Sequence, residues 1–282
     1  KPYMVVERQT ITYGQASDRL SRLYTVFGEQ LEPGAHIAIV TRSPVDMAVL
    51  FLAALRMGHP VVNLNPDFTA PELRHALQVT HTAHVFIDTD ILENSPIPGH
   101  IKQTAISGHQ GKSRVGLLDR LTKSSPAPFK STSLETLERA APPKTAPIIV
   151  DEEKTALMLF TSGTVQQPKV VELSLRNILA QIEILQKVYD YGPETRILNP
   201  LPLHFTDGLT HGPLATFLSG ATLYRPNVFR AEDIENLLHG IYRDRITHFI
   251  TVPAVLAMIN RLPGMFEDSF QTPDFRFIRS SG

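Results

Sequence analysis

Leu159-Phe160-Thr161-Ser162-Gly163-Thr164-Val165-Gln166-Gln167-Pro168-Lys169 is an apolar run that breaks into a small, hydroxyl-rich loop closed by a lysine. A strand ending in such a loop gathers backbone N–H groups, hydroxyls and one ammonium at a single point, a donor set suited to a polyphosphate. The stretch predicts a strand over 156–161 with a nucleotide site at its C-terminal end. It is not a Walker loop, in which a glycine stands beside the lysine and a hydroxyl follows it for magnesium. Here Pro168 precedes Lys169 and Val170 follows, which argues against an ordinary P-loop NTPase.

Outward from this loop, strand-like and helix-like segments alternate as in βα units built on a mostly parallel sheet. The expected fold class is α/β, with stacked subdomains whose sheets are flanked by helices. Ile11-Thr12-Tyr13-Gly14 leads into an amphipathic helix over 17–30, with Leu20, Leu23, Tyr24, Phe27 and Leu31 at helical spacing. Pro33-Gly34 turns the chain into a strand over 36–40, a helix over 45–57 stopped by Gly58, and a strand over 61–64. A helix over 70–79 and a strand over 85–88 repeat the cycle. From 95 to 147 the chain is rich in Pro, Ser, Lys and Gly and reads as a surface connection with two short elements, at 101–106 and 134–137.

After the strand over 156–161 come a helix over 174–189 with Ser174 as its N-cap, a strand over 196–199, a helix over 207–218 and a strand over 221–224. A helix over 231–239, a strand over 248–251 and a helix over 254–260 opened by Pro253 lead to a strand from Phe275 that reaches the turn Ser280-Ser281-Gly282. Three regions are expected: a first α/β subdomain over 1–92, a Pro/Ser-rich connection over 93–150, and a second α/β subdomain over 151–282 that carries the loop and is truncated at its C-terminal end.

Composition narrows the function. With 27 basic and 28 acidic residues the formal net charge is -1, so no nucleic-acid or anionic-surface partner is expected. The absence of cysteine removes disulfides, thiolate metal sites and cysteine nucleophiles from this chain. No stretch reaches the roughly 18 apolar residues of a membrane span; the longest, over 45–57, is interrupted by Asp46 and Arg56. Lys1-Pro2-Tyr3-Met4 does not read as a signal peptide. The expected compartment is the cytoplasm, with the peroxisome as the alternative.

The loop resembles the phosphate loop of adenylate-forming (AMP-binding) enzymes, the superfamily of acyl-CoA synthetases, luciferases and nonribosomal peptide adenylation domains, whose pattern is approximately S/T-S-G-T-T-G-x-P-K-G. The match holds at Thr161, Ser162, Gly163, Thr164, Pro168 and Lys169. Further segments resemble the family's motifs in its order. They are Ile11 to Gly14, Met57 to Pro66, Leu201-Pro202-Leu203-His204-Phe205 with Gly208-Leu209, Leu218 to Thr222, Thr251 to Leu256, and Phe275 to Gly282.

The resemblance implies the N-terminal part of an ATP-dependent acid:thiol ligase. A carboxylate attacks the α-phosphate of Mg-ATP, pyrophosphate leaves, and a thiol then takes the acyl group. The implied cofactors are ATP, Mg2+ and CoA or a carrier-bound phosphopantetheine; the implied partners are a small carboxylic acid and a carrier protein. On the resemblance, Thr161, Ser162, Gly163, Thr164, Lys169 and Gly282 bind the nucleotide, and His204, Phe205 and Lys169 are the catalytic candidates. Phe205 aligns with the residue beside the activated carboxylate, while His204 stands where an aromatic is usual. An imidazole there could donate to the substrate carboxylate, against the plainer reading of a histidine satisfied by a backbone carbonyl. No metal site is expected from the chain itself.

Gln166 and Val170 replace glycines of the family pattern, and Val165 a threonine. If those glycines adopt positive φ, a β-branched Val170 is strained, and restoring glycine at 166 and 170 should tighten nucleotide binding. His75, His81 and His84 read as surface residues, and 152–154 as a solvated edge. Family members continue into adenine, ribose and hinge motifs and a small C-terminal domain, so this chain alone is expected to be inactive. The alternatives are an adenylation domain loading a carrier protein and a non-catalytic remnant acting as a binding module.

Overall fold

The computed structural model describes residues 1–7, 9–107, 132–145, 151–161, 169–262 and 268–281. Two six-stranded sheets form the frame. The first is built from β3 (Ile37–Val40), β4 (Val61–Asn63), β5 (His84–Asp88), β6 (Lys102–Ile106), β7 (Thr155–Thr161) and β8 (Lys169–Ser174), in the order β6-β5-β3-β4-β7-β8. The second is built from β1 (Pro2–Val6), β2 (Gln9–Thr12), β9 (Arg196–Leu198), β10 (Thr222–Arg225), β11 (His248–Thr251) and β12 (Phe277–Ser280), in the order β12-β11-β9-β10-β1-β2. Each sheet is parallel except for one antiparallel edge strand, β8 on β7 and β2 on β1. The α/β class and its mostly parallel, helix-flanked sheets are as the sequence indicates.

Alternation along the strands assigns each side chain a layer. In β3, Ile37 and Ile39 join an inner core, while Ala38 and Val40 face the other way. The inner core lies between the sheets and takes Tyr3, Met4, Ile197 and Leu223 from one and Val61, Phe86 and Leu157 from the other. Helix α1 (Tyr13–Gln30) contributes Phe27 to it, and helix α2 (Pro44–Met57) contributes Phe51. Helix α2 is buried from Met47 to Leu55, which explains why the longest apolar run lies here: a helix packed on all sides is apolar all round. Its N-cap is Ser43 and it ends at Gly58, whose φ of 72° is the left-handed conformation that glycine adopts without strain.

Helices α3 (Ala70–Val79) and α4 (Thr89–Asn94) cover the outer face of the first sheet through Leu73, Leu77, Ile91 and Leu92. Helix α5 (Leu134–Ala140) is tied to the inner layer, where Arg19 bridges Glu138 and Asp46, each at 2.7 Å. Helix α6 (Leu175–Tyr189) adds Ile178, Ile182 and Leu185 to the inner core. The short helices α7 (Thr206–Leu209) and α8 (Ala215–Ser219) follow, and α9 (Ile234–Arg243) and α10 (Pro253–Ile259) cover the outer face of the second sheet through Leu238, Ile241 and Val255.

Three differences from the sequence reading matter. The N-terminal residues form β1 and β2, and β1 pairs in parallel with β10, so strand membership crosses the boundaries expected at 92 and 150. Residues 169–174 form β8, placed by pairing with β7 and by no periodicity of their own. The helix expected over 207–218 is broken into α7, a π-turn over Thr210–Leu214 and α8, with Gly212 at non-helical φ -94° and ψ -108° just before Pro213. Proline cannot donate to the helix ladder, and the chain leaves the helix there.

Candidate functional site

Three of the parallel strands close on polar residues: Asn63 on β4, Asn199 directly after β9, and Arg225 on β10. All three are buried, and all three hold the segment from Leu201 to Asp207 by its backbone. Asn63 Nδ2 donates to Leu203 O at 2.6 Å, Asn199 Nδ2 to Asp207 O at 2.9 Å, and Arg225 Nη2 to Leu201 O at 3.3 Å. Leu201 N–H donates to Asn199 Oδ1 at 3.0 Å. Asn63 belongs to the first sheet and the other two to the second, so the segment is clamped from both sides. Gly208 completes the clamp, because a Cβ at that position would collide with the Pro202 carbonyl oxygen.

This clamp sets His204 and Phe205 at the C-terminal ends of the strands, where ligands bind in open α/β sheets. The two rings lie 4.3 Å apart at 49°. Phe205 is 57% exposed and caps α7, while His204 is half-buried. Burial lowers the His204 imidazole below its ordinary value, and the Asp67 carboxylate opposes that in part. No described group makes a hydrogen bond to its ring, so the backbone-carbonyl reading of this histidine finds no support. A neutral imidazole with a wet edge can donate one N–H to a carboxylate.

The loop expected to hold phosphates is flanked by described residues, while Ser162 to Pro168 and Gly282 lie outside them. Thr161 ends β7 and stands opposite Lys169, the first residue of β8, in antiparallel register. β7 and β8 are thus paired antiparallel up to the two ends of the loop. β7 is the immediate neighbour of β4, which carries Asn63. Lys169 is exposed. Val170 pairs with Phe160 in extended β8 and packs against the outer core of the first sheet. It does not occupy positive φ, so the strain expected there is absent; Gln166 lies outside the described residues. The hydroxyls, glycine N–H and ammonium carried by residues 161–169 suit a triphosphate chemically. Among the described residues no group of three or more His, Asp and Glu side chains is gathered as a metal site.

Beyond Phe205, a second polar group forms where the π-turn meets β12. Asp207 accepts from the Ser281 hydroxyl, and its Oδ1 lies 3.5 Å from His211 Nε2 and 3.6 Å from Arg279 Nη1. Gln181 of α6 reaches His211 Nε2 at 3.4 Å. His211 is fully buried and its Nδ1 has no partner among the described residues. Burial and the Arg279 charge lower its pKa to about 4, with Asp207 opposing.

Sequence reasoning names His204, Phe205 and Lys169 but misses Asn63, Asn199 and Arg225 as the residues that hold the segment carrying His204 and Phe205. The available signal is the polar residue closing each apolar strand: Val61-Val62-Asn63, Ile197-Leu198-Asn199, Leu223-Tyr224-Arg225. His84, expected on the surface, is buried instead; His81 is exposed and His75 half-buried. Residues 152–154 are solvated as expected.

The profile of the AMP-binding enzyme family matches residues 1–281. A 4-coumarate--CoA ligase-like 6 from Oryza sativa subsp. japonica is 27% identical over 252 residues, covering 82% of this chain and 38% of that protein. Gramicidin S synthase 2 from Brevibacillus brevis is 23% identical over 257 residues, covering 91% of this chain and 5% of that protein. The chain thus spans less than half the length of these relatives. Among solved structures, ATP-bound MatB from Rhodopseudomonas palustris superposes with a TM-score of 0.80 at 20% identity, over 99% of this chain and 52% of that one. That likeness carries the fold. No helix among the described residues is long and apolar enough to cross a membrane.

Proposed function

The chain belongs to the AMP-binding enzyme family, and we propose that it supplies the nucleotide- and acid-binding part of an AMP-forming acid:thiol ligase acting on a small carboxylic acid. In the first step a carboxylate oxygen bonds to the α-phosphorus of ATP and the bond from that phosphorus to pyrophosphate breaks. In the second the thiol of CoA bonds to the acyl carbon, AMP leaves with the electron pair of the acyl C–O bond, and the thiol proton passes to solvent. The loop residues Thr161, Ser162, Gly163, Thr164 and Lys169 bind the β- and γ-phosphates, and Gly282 contributes to nucleotide binding. His204 donates to the acid's carboxylate, and Phe205 shields it.

The observation that carries this reading is the Asn63–Leu203 hydrogen bond, which ties the His204 segment to the sheet whose strands β7 and β8 flank the loop. One preorganised donor at such a site is worth roughly 3 to 4 kcal/mol in the transition state, so losing one lowers the rate by about a hundredfold or more. Carboxylate-dependent ATP–pyrophosphate exchange with the gene's full product, over short, long and aromatic acids, tests it. Exchange that needs an acid and falls at least a hundredfold in Lys169→Ala is expected; silence across the panel in folded protein would sink the ligase reading in favour of a binding module.

A second reading, an adenylation domain loading a carrier protein's phosphopantetheine, draws on the 91% of this chain that matches gramicidin S synthase 2. Acyl transfer to CoA against transfer to a phosphopantetheinylated carrier separates the two. The compartment proposed is the cytoplasm.

A further inference from the structure

We infer that Asp207, His211 and Arg279, with Gln181 and Ser281, recognise a neutral hydrogen-bonding group, a hydroxyl or carboxamide, at the far end of the acid. The inference rests on the ligase reading of the adjoining His204 segment. Asp207 is two residues beyond Phe205 in the helix that Phe205 caps, so the cluster continues the wall that begins with the proposed carboxylate site. His211 follows one turn later, where the π-turn widens the helix; such turns mark functional positions in many proteins.

Two buried polar atoms at this edge lack partners among the described residues. One is His211 Nδ1; the other is Thr251 Oγ1, on the residue whose Cα pairs with Ser280 at the end of β12. Both residues are fully buried. Buried polar groups without partners cost free energy, and a ligand that supplies the missing partner recovers it. With Gln181 donating to Nε2, the proton of the neutral imidazole sits on Nδ1, leaving an N–H donor that calls for an oxygen acceptor. Among the described residues Arg279 makes one long hydrogen bond, to Ser281 Oγ at 3.3 Å, and lies near Asp207, so most of its five donors are unspent there.

Charge selects the class of ligand. The cluster holds one carboxylate, one guanidinium and a neutral imidazole, and its net charge is near zero. A second carboxylate on the acid would face Asp207, and an ammonium would face Arg279. A hydroxyl or carboxamide both donates and accepts, and so serves each without opposing either. An alkyl terminus would leave the donors of His211 and Arg279 unmatched, a mismatch that such sites reject strongly.

The test is kcat/KM in ATP–pyrophosphate exchange for matched acids at several chain lengths: alkyl, ω-hydroxy, ω-carboxamide, dicarboxylic and ω-amino, with benzoate and 4-hydroxybenzoate as the aromatic pair. The hydroxy or carboxamide acid of the right length is expected to exceed its alkyl partner at least tenfold. Asp207→Asn, near-isosteric, and His211→Leu should erase that ratio. Preference for alkyl, dicarboxylic or amino acids, or a ratio unmoved by both variants, overturns the proposal. A readout without turnover separates it from the ligase reading: the His211 imidazole 15N resonances, assigned by their loss in His211→Leu, should shift with 6-hydroxyhexanoate and not with hexanoate. That shift without any exchange would reject the ligase reading and keep the site; no shift at saturating acids of every length rejects the site.

Discussion

His84 and His248 occupy the same place in the two sheets: each is the first residue of a strand one removed from a parallel edge, β5 beside β6 and β11 beside β12. Both are buried, and burial lowers both imidazoles to about 4. Their partners differ. His84 Nε2 meets Thr104 Oγ1 at 2.8 Å and its Nδ1 meets nothing, while the ring stacks on Phe86 at 4.7 Å. His248 Nε2 donates to Tyr189 O at 3.1 Å, and Nδ1 accepts from Thr247 Oγ1 at 2.6 Å. The first sheet, with β3, β4 and β5 wholly buried, tolerates a half-satisfied ring through apolar packing. The second, assembled from distant segments, ties its ring to α6 by a hydrogen bond.

The comparison presupposes that both sheets unfold as one unit, and Phe51→Ala is the strongest test of that. Phe51 sits in the core the sheets share, so its loss should cost about 3–5 kcal/mol. Denaturant titration should show the native His84 and His248 resonances disappearing together; two separate midpoints would break the comparison. Acid is next. Both folded-state values lie below the unfolded histidine value, so the unfolded chain takes up protons first. The stability from keeping these rings neutral is complete above about pH 6.5 and is lost as pH falls towards 4, at roughly 1.4 kcal/mol per pH unit per histidine. Urea midpoints across this window measure the slope.

His248→Leu strands two partners, the Tyr189 carbonyl and the Thr247 hydroxyl, and should cost about 1–3 kcal/mol, whereas His84→Leu strands only the Thr104 hydroxyl while removing an unpartnered nitrogen and should cost less. Equal costs would show that the missing partner of His84 is of no consequence. Val170→Gly should make the smallest change, a loss of about 0.5–1 kcal/mol from a strand interior, with no tightening of nucleotide. A gain in ATP affinity would restore the idea that position 170 needs a glycine.

The legible parts are those with local causes. Helix α3 and strand β11 fall where periodicity puts them, and Ser174 caps α6 with Asn177 returning the hydrogen bond. What pairing over long distance decides is not legible. Residues 2–6 carry no strand signal stronger than their neighbours', and β8 exists because β7 lies beside it. His84 was placed outside because a histidine between Ala83 and Val85 looks the same in sequence whether Thr104 meets it or water does. Of the candidate site, motif and order single out His204, Phe205 and Lys169. The clamp has no such local signal, since Asn63 and Leu203 are 140 residues apart.

The pairing of β1 with β10 has a consequence for how the protein is made. Pro2 and Thr222 meet across 220 residues, through a hydrogen bond from the Thr222 hydroxyl to Pro2 O. At translation rates of about 5–20 residues per second, β1 waits on the order of ten to forty seconds for its partner. Through that interval Tyr3 and Met4, fully buried at the end, are presented to the cell as bare apolar surface. The segment that closes the second sheet is thus the one most open to chaperones while the chain is being born.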